Sequence, residues 1–571
     1  MAADDLTAPG APFAVRDEPV RGVTMPVFAH RKRSLRAMIE SSRRFGDRTY
    51  IVDGETRLSF AEHLAAADAL AHVLQDRYRV AKGDRVAIFA ANRWEWVVCF
   101  WAIACVGAIP VGMNGWWTAD ELRYAADLVE PVLLIGDQPR LDRLSGAQHP
   151  VGPASTGEPA STGGPASTGT AFQVLPIEEI GGLVSEYAGA VPSRPAQDED
   201  EPALLLFTSG TTGRPRAVTL PHRTVAGFAQ VSALQEAQAM AAAGVPVTDR
   251  ALPPSDDVIL VTAPLFHVSM IWAAVVLAAT RGSAMVLLPG RFDPEAVLAA
   301  IERERVTAWS ALGSAAPRVA GCQALGSYDT SSVRYLGVGG APVSPAVQRK
   351  LRAAFPSARA IGMGYTSTEG GAVIARIGGP EYAANPTATG RITPTTQLEL
   401  RDELGKPVPD GEYGEVHVRS PYLMLGYWND PDASAAVLKA DGWLALGDIG
   451  RLDGGLLYLN ARARDLILVS AENVSPTEVE YVLEDSPDVG EATVFAVDDE
   501  VTGDAVCAVI VPAPGASPPG EELAAALSQW CRQRLAHYKV PTRWHFTTRP
   551  LPRTASGKVL KREVREWVSQ P

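Results

Sequence analysis

A loop rich in hydroxyl groups and glycine follows an apolar run in the first half of the chain. The apolar run is Ala203–Phe207, and Arg216 lies just beyond the loop. Glycine permits backbone angles that other residues avoid, so the amides of such a loop can face an anion. No Gly-Lys-Ser/Thr follows, which excludes a Walker loop, and a plain surface turn is the alternative. We predict that the loop binds polyphosphate through Thr208, Ser209, Gly210, Thr211, Thr212 and Gly213.

A second hydroxyl-rich turn carries a carboxylate. Residues 364–370 read Gly-Tyr-Thr-Ser-Thr-Glu-Gly. Magnesium takes oxygen ligands, commonly one or two carboxylates together with substrate phosphates. Glu369 is therefore the candidate magnesium ligand, and Thr368 a candidate donor to a phosphate. The alternative is a helix cap with an acidic residue in the first turn.

Other polar residues indicate a function only when their order along the chain is considered. His267 follows a strand pattern that ends at residue 264, Asp448 stands beside a glycine, and Lys558 lies in a Thr-Ala-Ser-Gly-Lys loop. A carboxylate can accept the hydroxyl groups of a ribose, as acidic residues do in nucleotide sites. Taken singly, a packed histidine and a solvated lysine are the ordinary interpretations. A Gly-Gly-Ala-Pro turn also follows the strand pattern Tyr335–Val338, and its candidate residues are Gly340, Ala341 and Pro342.

Together these motifs resemble the adenylate-forming enzymes: acyl- and aryl-CoA synthetases, peptide-synthetase adenylation domains and luciferases. The resemblance runs from about residue 35 to about residue 565 through six or more ordered motifs. It implies an enzyme, an acyl-CoA synthetase, that joins a carboxylic acid to AMP with release of pyrophosphate. A thiol then displaces AMP. The expected small molecules are ATP, Mg²⁺, coenzyme A and a fatty or aryl acid.

The resemblance also implies a role for each motif. Lys558 would bridge the carboxylate and the α-phosphate, and Arg464 would be the pivot about which a mobile C-terminal domain rotates. His267 would line the route between nucleotide and acyl pocket. The residues expected at the nucleotide are the phosphate loop with Arg216, the turn of Gly340, Ala341 and Pro342, the pair Gly364 and Tyr365, Thr368, Glu369, Asp448 and Arg462.

Some positions depart from the family pattern. Arg216-Ala217 replaces the usual Lys-Gly, Leu446 replaces a threonine before Gly-Asp, and Ala461 precedes Arg462. Ala471 stands where relatives have a glycine that faces the pantetheine channel. A methyl group there could narrow the access of coenzyme A.

Three alternatives therefore stay open. The first is transfer of the acyl group to another acceptor: the phosphopantetheine of a carrier protein, an amine, or nitrite in a diazotase. The second is an aromatic or alicyclic acid in place of a fatty acid. The third is a catalytically retired protein that only binds nucleotide or acyl group. No aspartate suited to an amino group occurs near residues 328–341, which disfavours an α-amino acid.

Helix patterns alternate with short apolar strands, which predicts an α/β fold with parallel sheets covered by helices on both faces. A chain of 571 residues needs more than one core. We predict a loosely attached N-terminal arm at 1–33, an AMP-binding domain at 34–463 with a β-rich subdomain, and a small mobile α/β domain at 464–571. A Pro-Ala-Ser-Thr-Gly repeat within 145–170 predicts a disordered surface insertion.

The bulk properties exclude several classes of protein. The net charge of −13 argues against a broad nucleic-acid surface. The five cysteines are scattered, which disfavours a disulfide framework or a zinc site. The apolar segment Val97–Met113 contains Gly107 and Pro110, so we predict a buried helix that runs into a buried strand, with no transmembrane segment. The N-terminus has no signal pattern, and a cytoplasmic location is expected.

Overall fold

The computed structural model describes residues 6–145, 172–208, 214–249, 252–313, 315–339, 343–462, 465–469, 472–499, 502–554 and 557–569. The predicted insertion falls almost entirely on 146–171, outside the described residues. The strands are β1 (Val15–Val20), β2 (Val23–Phe28), β3 (Thr49–Asp53), β4 (Thr56–Ser59), β5 (Arg85–Phe89), β6 (Ile109–Gly112), β7 (Leu133–Gly136), β8 (Gln173–Pro176), β9 (Pro202–Thr208), β10 (Arg216–Pro221), β11 (Val258–Val261), β12 (Ala284–Leu287), β13 (Ala308–Leu312), β14 (Tyr335–Gly339), β15 (Ala360–Tyr365), β16 (Ala375–Gly378), β17 (Arg391–Ile392), β18 (Gln397–Arg401), β19 (Gly414–Arg419), β20 (Gly426–Tyr427), β21 (Leu444–Asp453), β22 (Leu456–Arg462), β23 (Ile467–Val469), β24 (Glu472–Val474), β25 (Val489–Asp499), β26 (Gly503–Pro512) and β27 (Arg543–Phe546).

The helices alternate with these strands. They are α1 (Leu35–Ser41), α2 (Phe60–Asp76), α3 (Trp94–Cys105), α4 (Ala119–Val129), α5 (Gln138–Ser145), α6 (Ile180–Glu186), α7 (His222–Ala242), α8 (Val268–Met270), α9 (Leu277–Arg281), α10 (Pro294–Glu304), α11 (Ala315–Ala320), α12 (Pro345–Ala354), α13 (Gly379–Ala384), α14 (Pro431–Val437), α15 (Pro476–Glu484), α16 (Glu521–Arg532) and α17 (Lys561–Ser569). A π-helical segment, Ile271–Val276, joins α8 to α9. Hydroxyl caps fix several starts: Ser59 and Thr118 each form a reciprocal capping box with a glutamate three residues on.

Two large sheets form the centre of the N-terminal part. The first has the order β20-β10-β9-β6-β5-β7-β8 and the second β17-β16-β15-β14-β13-β11-β12-β3-β4. Their central strands are parallel, and antiparallel strands lie at one edge of the first sheet and at both edges of the second. In β5, Val86 and Ile88 join the core between the sheets, whereas Ala87 and Phe89 join the core on the outer face. Because successive side chains point to opposite faces of the sheet, the apolar run of this strand is buried on both faces.

Helices cover both faces of these sheets, as the alternating pattern predicts. α2 and α3 pack in the shared core, α4 packs on the outer face of the first sheet, and α10 to α12 pack on the outer face of the second. The segment Val97–Met113 is the buried end of α3 followed by β6, which confirms the expected buried helix and strand. None of the helices in the described part of the chain is long and apolar enough to cross a membrane.

Two smaller sheets complete the fold. An antiparallel sheet of order β18-β19-β21-β22 is the predicted β-rich subdomain. After it, β23 to β27 form a separate sheet of order β24-β23-β26-β25 with β27 beside β26. One face of this last sheet packs on α15 and α16, and the other packs on α17. The α/β fold class is therefore confirmed.

The expected loose attachment of the N-terminal arm is wrong for the described residues. β1 and β2 form an antiparallel hairpin whose Val20, Val27 and Phe28 are fully buried. At its turn, the guanidinium of Arg21 donates to the backbone carbonyls of Pro421, Leu423 and Met424 at 3.1–3.3 Å. The Pro- and Gly-rich composition suggested a loose arm, but contacts with residues 400 positions away in sequence hold the hairpin in place.

Candidate active site

The predicted site residues gather around one large cavity. Its volume is about 2280 Å³, which exceeds the ~300–1,000 Å³ of a usual single-ligand pocket. Both large sheets, the β-rich subdomain and the C-terminal sheet contribute to its walls. The cavity can therefore hold more than one small molecule. The predicted residues that line it are Thr208, Arg216, His267, Gly364, Tyr365, Thr368, Glu369, Asp448, Arg462 and Lys558.

The stem of the predicted phosphate loop is formed by β9 and β10. Thr208 lies opposite Arg216 in this antiparallel pair. The guanidinium of Arg216 lies 5.2 Å from the ring centroid of Tyr427, and its Nε is 3.9 Å from the carboxylate of Asp430. The tip, Ser209, Gly210, Thr211, Thr212 and Gly213, lies outside the described residues. The stem thus places a cation and a hydroxyl group on either side of the loop.

Tyr427 connects this stem to the predicted magnesium ligand. Its hydroxyl donates to Oε1 of Glu369 at 3.1 Å. Burial and the nearby Glu369 carboxylate raise the pKa of Tyr427, so the phenol stays protonated and remains a donor at neutral pH. One carboxylate oxygen is therefore held, while Oε2 can accept other partners. Thr368 lies next to Glu369 on the same loop after β15.

Asp448 is held from two sides. The Tyr365 hydroxyl donates to Oδ2 at 2.6 Å, and Arg462 Nε lies 3.0 Å from Oδ1. Asp448 and Arg462 are register partners in β21 and β22, whereas Tyr365 ends β15 of the second large sheet. A carboxylate offers about four lone-pair positions, so two accepted bonds leave room for two hydroxyl groups. The arrangement suits a ribose.

His267 is neutral at physiological pH. Burial, and to a smaller extent the positive charge of Lys558, lower the pKa of His267 to about 4. Its Nδ1 lies 2.6 Å from Ser269 Oγ and accepts from the Ser269 amide at 3.3 Å. In a neutral ring whose Nδ1 accepts, the proton is on Nε2. His267 can thus donate a hydrogen bond, but it is a poor base.

The loop of Lys558 is braced at both ends. The Thr554 amide donates to the Lys558 carbonyl at 2.8 Å, and the Lys558 amide donates to Thr554 Oγ1 at 3.1 Å. Arg553 donates to Glu491 of β25 at 2.6 Å and to the Gly557 carbonyl at 3.1 Å. These contacts fix the loop against the C-terminal sheet.

The same loop also touches the N-terminal part. Gly313 has a φ of +55°, and a β-carbon on it would lie 2.8 Å from the Gly557 backbone. Only a glycine fits such an approach. The structure therefore has the Lys558 loop docked over the cavity, close enough for Lys558 to lower the pKa of His267.

We refer to the part of the cavity wall that α7 and the segment after His267 form as the apolar branch. Phe228 and Ser232 of α7 face it, together with Trp272 and Ala273 from the segment after His267. The rings of Phe228 and Trp272 stack with centroids 5.6 Å apart. Trp272 Nε1 donates to the Gly371 carbonyl at 2.9 Å, so the indole has a fixed position.

Besides the tip of the phosphate loop, four further expected residues lie outside the described part of the chain: Gly340, Ala341, Pro342 and Arg464. The departure at Ala471 also lies there. Sequence reasoning missed Tyr427 as a site residue, although the motif Gly426-Tyr427-Trp428-Asn429 was a signal that could have found it. It also missed Gly313, for which the sequence around it gives no signal.

Comparison with known proteins identifies the family. Residues 39–428 match the model of the AMP-binding enzymes, and residues 478–558 match the model of the AMP-binding enzyme C-terminal domain. The chain is 34% identical over 527 residues to a feruloyl-CoA synthase of an Amycolatopsis species, covering 90% of this chain and 95% of the relative.

Solved structures show the same fold. The amide bond synthetase McbA from Marinactinospora thermotolerans superposes with a TM-score of 0.75 at 29% identity, over 93% of this chain and all of McbA. The anthranilate CoA ligase AuaEII, in complex with anthranoyl-AMP, superposes with a TM-score of 0.80 at 23% identity, over 94% of this chain and 97% of AuaEII. The matches extend across the described sheets and both family models, and the chain therefore belongs to the AMP-binding enzyme family.

Proposed function

We propose that this protein activates a carboxylic acid with ATP and transfers the acyl group to coenzyme A. In the first step a carboxylate oxygen attacks the α-phosphorus of ATP, the α–β phosphoanhydride bond breaks, and pyrophosphate leaves. In the second step the thiolate of coenzyme A attacks the acyl carbon, the acyl–oxygen bond breaks, and AMP leaves. The observation that best supports this proposal is that Glu369, Asp448 and Lys558 line the same cavity. The chain is thus an AMP-forming acid–thiol ligase.

The chain's own residues would act in the first step by charge and position. Lys558 places a compact ammonium between the carboxylate and the α-phosphate, where negative charge collects in the transition state. Arg216 and the loop after Thr208 would hold the departing pyrophosphate. Asp448 with Arg462 would hold the ribose, and the turn of residues 340–342 the adenine. His267 would donate from Nε2 toward the substrate carboxylate, because its lowered pKa keeps it neutral.

Magnesium fits the donor set at Glu369. One oxygen of this carboxylate is fixed by Tyr427, and Oε2 is available in a cavity that also holds the Thr208 hydroxyl. A magnesium ion usually takes one or two carboxylates and completes its octahedron with substrate phosphates and water. When bound, it would supply positive charge to the phosphates of ATP.

For the thiol step we propose a second orientation of the C-terminal domain, reached by rotation at the boundary between the two domains. We place the boundary near residues 463 and 464, because β22 ends in the β-rich subdomain at Arg462 and β23 begins the C-terminal sheet at Ile467. The units are then an N-terminal segment at 1–33, an AMP-binding domain at 34–463 and a C-terminal domain at 464–571. Rotation about Arg464 would withdraw Lys558 and admit the thiol. A cytoplasmic location stays a prediction from the sequence.

A ring-containing acid suits the cavity best. The walls of its apolar branch include the stacked rings of Phe228 and Trp272, and aromatic groups favour such stacked or edge-on packing. Relatives at 32–34% identity are named for feruloyl and indoleacetate substrates. An amine acceptor is the second candidate function, since McbA is an amide bond synthetase and Ala471 departs from the family's glycine.

The test is a mass-spectrometric assay of the purified protein with ATP, Mg²⁺ and a panel of ring-containing and fatty acids. It is run alone, with coenzyme A, and with a panel of amines. An acyl-AMP that becomes a thioester on addition of coenzyme A supports the main proposal. An acyl-AMP that gives amide but no thioester supports the second candidate. Lys558→Ala should abolish formation of the adenylate, and an unchanged rate in that variant would contradict the proposed role of Lys558.

A further inference from the structure

A guanidinium lies on the wall of the apolar branch. Arg376 lies on β16 opposite Gly364 of β15, and register partners in an antiparallel pair project to the same face. A β-carbon on Gly364 would meet nothing within 4 Å, so this face opens onto the cavity. Both residues line the cavity.

The helix on the other side contributes a partner. Phe228, Ser232 and Gln235 lie at i, i+4 and i+7 of α7, which places them along one face of the helix. Phe228 and Ser232 line the cavity, and Oε1 of Gln235 accepts a hydrogen bond from Nη1 of Arg376. The guanidinium is therefore held across the branch by a neutral amide.

The charge of Arg376 is unbalanced within the described residues. Among them, Gln235 is the side chain to which it donates, and no carboxylate forms an ion pair with it. Three buried guanidinium groups of this chain do have such partners: Arg31 and Arg223 with Glu199, and Arg281 with Glu236. The exposed surface of the Arg376 side chain faces the cavity. The protein around the guanidinium still desolvates it, which lowers the pKa of Arg376. A desolvated cation without a counter-charge is unfavourable until an anion binds.

The guanidinium is also suitably placed for a small substrate. Gly364, its register partner, is four residues before Thr368, so the backbone between them spans at most roughly 14 Å. Arg376 has five N–H groups, and one is occupied by Gln235. The remaining donors include the Nε and Nη2 pair that binds a carboxylate with two parallel hydrogen bonds.

We propose that Arg376 selects an acid that carries a second carboxylate at the end distant from the reacting one. The substrate is then a dicarboxylic acid with an apolar, ring-sized body between its two carboxylates. The body packs against the stacked pair Phe228 and Trp272, one carboxylate reaches Lys558, and the other pairs with Arg376. This inference rests on the proposed adenylation and adds the substrate class.

The test compares matched acids and matched variants. The probes are benzene-1,4-dicarboxylate and 4-carboxycinnamate against 4-methylbenzoate and 4-methylcinnamate, which replace the distal carboxylate by a methyl group. Wild-type protein should prefer the dicarboxylates in kcat/KM. Arg376→Met should reduce kcat/KM for them by roughly 10- to 100-fold and change that of the methyl analogues by less than about 3-fold. Arg376→Lys should restore part of the preference, and Arg303→Met, at an exposed arginine of α10, should change neither.

Other outcomes separate the two proposals. Equal rates for both classes of acid, with an equal effect of Arg376→Met on both, would overturn the selection by Arg376 and leave adenylation standing. If no acid is adenylated, the proposed function fails. Calorimetric binding of the dicarboxylates to wild type and Arg376→Met then decides the inference: tighter binding to wild type supports it, and equal binding overturns it.

Discussion

At the scale of single residues, the site is organised by side chains that hold other side chains. Tyr427 is an example, because its hydroxyl binds the Glu369 carboxylate while its ring lies beside the Arg216 guanidinium. It thus links the predicted metal ligand to the stem of the predicted phosphate loop. Its role is to position Glu369, which would itself touch the metal.

Removal of this hydroxyl gives the residue-scale prediction. Tyr427→Phe keeps the ring but leaves Glu369 without its donor, and such a bond to a charged group is worth about 1.5–3 kcal/mol. We expect the rate of adenylation, measured by pyrophosphate exchange, to fall about 10-fold at a low Mg²⁺ concentration. The rate should recover partly as the Mg²⁺ concentration is raised. Tyr413→Phe, at an exposed tyrosine outside the cavity, is the control. A loss that is the same at every Mg²⁺ concentration would contradict a positioning role at the metal.

The sequence predicted individual residues better than their partners. Asp448 and Arg462 were predicted from their motifs, and strand pairing explains why they meet. The hydrogen bond from Tyr365 to Asp448 joins residues 83 positions apart in two different sheets. Sequence spacing carries no information on such a contact, since it depends on how the subdomain docks on the second large sheet.

At the scale of elements, α7 connects the N-terminal segment to the cavity. Its first residue, His222, is buried, and Nδ1 of this histidine accepts from the Leu35 amide at the start of α1 at 3.2 Å. Further along the same helix, Phe228 and Ser232 line the cavity. The start of α7 is thus fixed by a bond that requires a neutral imidazole.

This bond predicts a dependence of stability on pH. Burial lowers the pKa of His222 to about 4, from an ordinary value of 6.5, with Glu201 opposing the shift and Lys82 adding to it. The unfolded chain therefore binds more protons between about pH 4 and 6.5, so stability falls as the pH is lowered through this window. Between pH 7 and pH 5 the contribution of His222 is about 2 kcal/mol.

His222→Asn tests the assignment, because an amide oxygen can accept in place of Nδ1 but does not titrate. Urea unfolding at pH 7 and pH 5 should show a smaller loss of stability in this variant than in wild type. Part of the loss should remain, since His63 and His267 also have lowered pKa values. His72→Asn, at a partly exposed histidine of α2, should leave the loss unchanged. An equal loss in wild type and His222→Asn would contradict the assignment.

Elements were predictable where their pattern is local. The buried pair α3 and β6 follows from an apolar run interrupted by glycine and proline, and the structure confirms it. The hairpin β1–β2 was missed because its strands do not alternate clearly. Contacts of Arg21 with the segment 421–424, far away in sequence, stabilise it. Tertiary contacts of this kind override local composition.

At the scale of the whole molecule, the described arrangement suits the proposed adenylation step. The Lys558 loop is docked over the cavity, and its backbone at Gly557 meets Gly313 at the end of β13. In addition, Arg349 of α12 forms an ion pair with Asp485, which follows α15 of the C-terminal part. The sequence predicts two domains and a hinge, but it does not predict that the Lys558 loop is docked over the cavity, since the docked arrangement and the proposed rotated one use the same motifs.

Gly313→Ala should separate the two half-reactions. Its methyl group would meet the Gly557 backbone and disfavour the docked arrangement, whereas the proposed thiol step uses a rotated one. We expect the rate of adenylation to fall about 10-fold or more. A tenfold fall corresponds to a loss of about 1.4 kcal/mol in the free energy of docking. Conversion of supplied acyl-AMP to thioester should be nearly unchanged. Arg464→Pro, at the proposed pivot, should show the opposite pattern, with thioester formation impaired and adenylation spared.

The control for Gly313→Ala is Gly290→Ala. Gly290 has a φ of +85° and nothing within 4 Å of an added β-carbon, so this variant introduces backbone strain without a clash. It should lower the melting temperature slightly and leave the ratio of the two rates at its wild-type value. If Gly313→Ala reduced both half-reactions equally, the added methyl group would be acting on the shared cavity. This result would contradict a role of Gly313 in docking of the Lys558 loop. A docking defect should spare the step that begins from acyl-AMP.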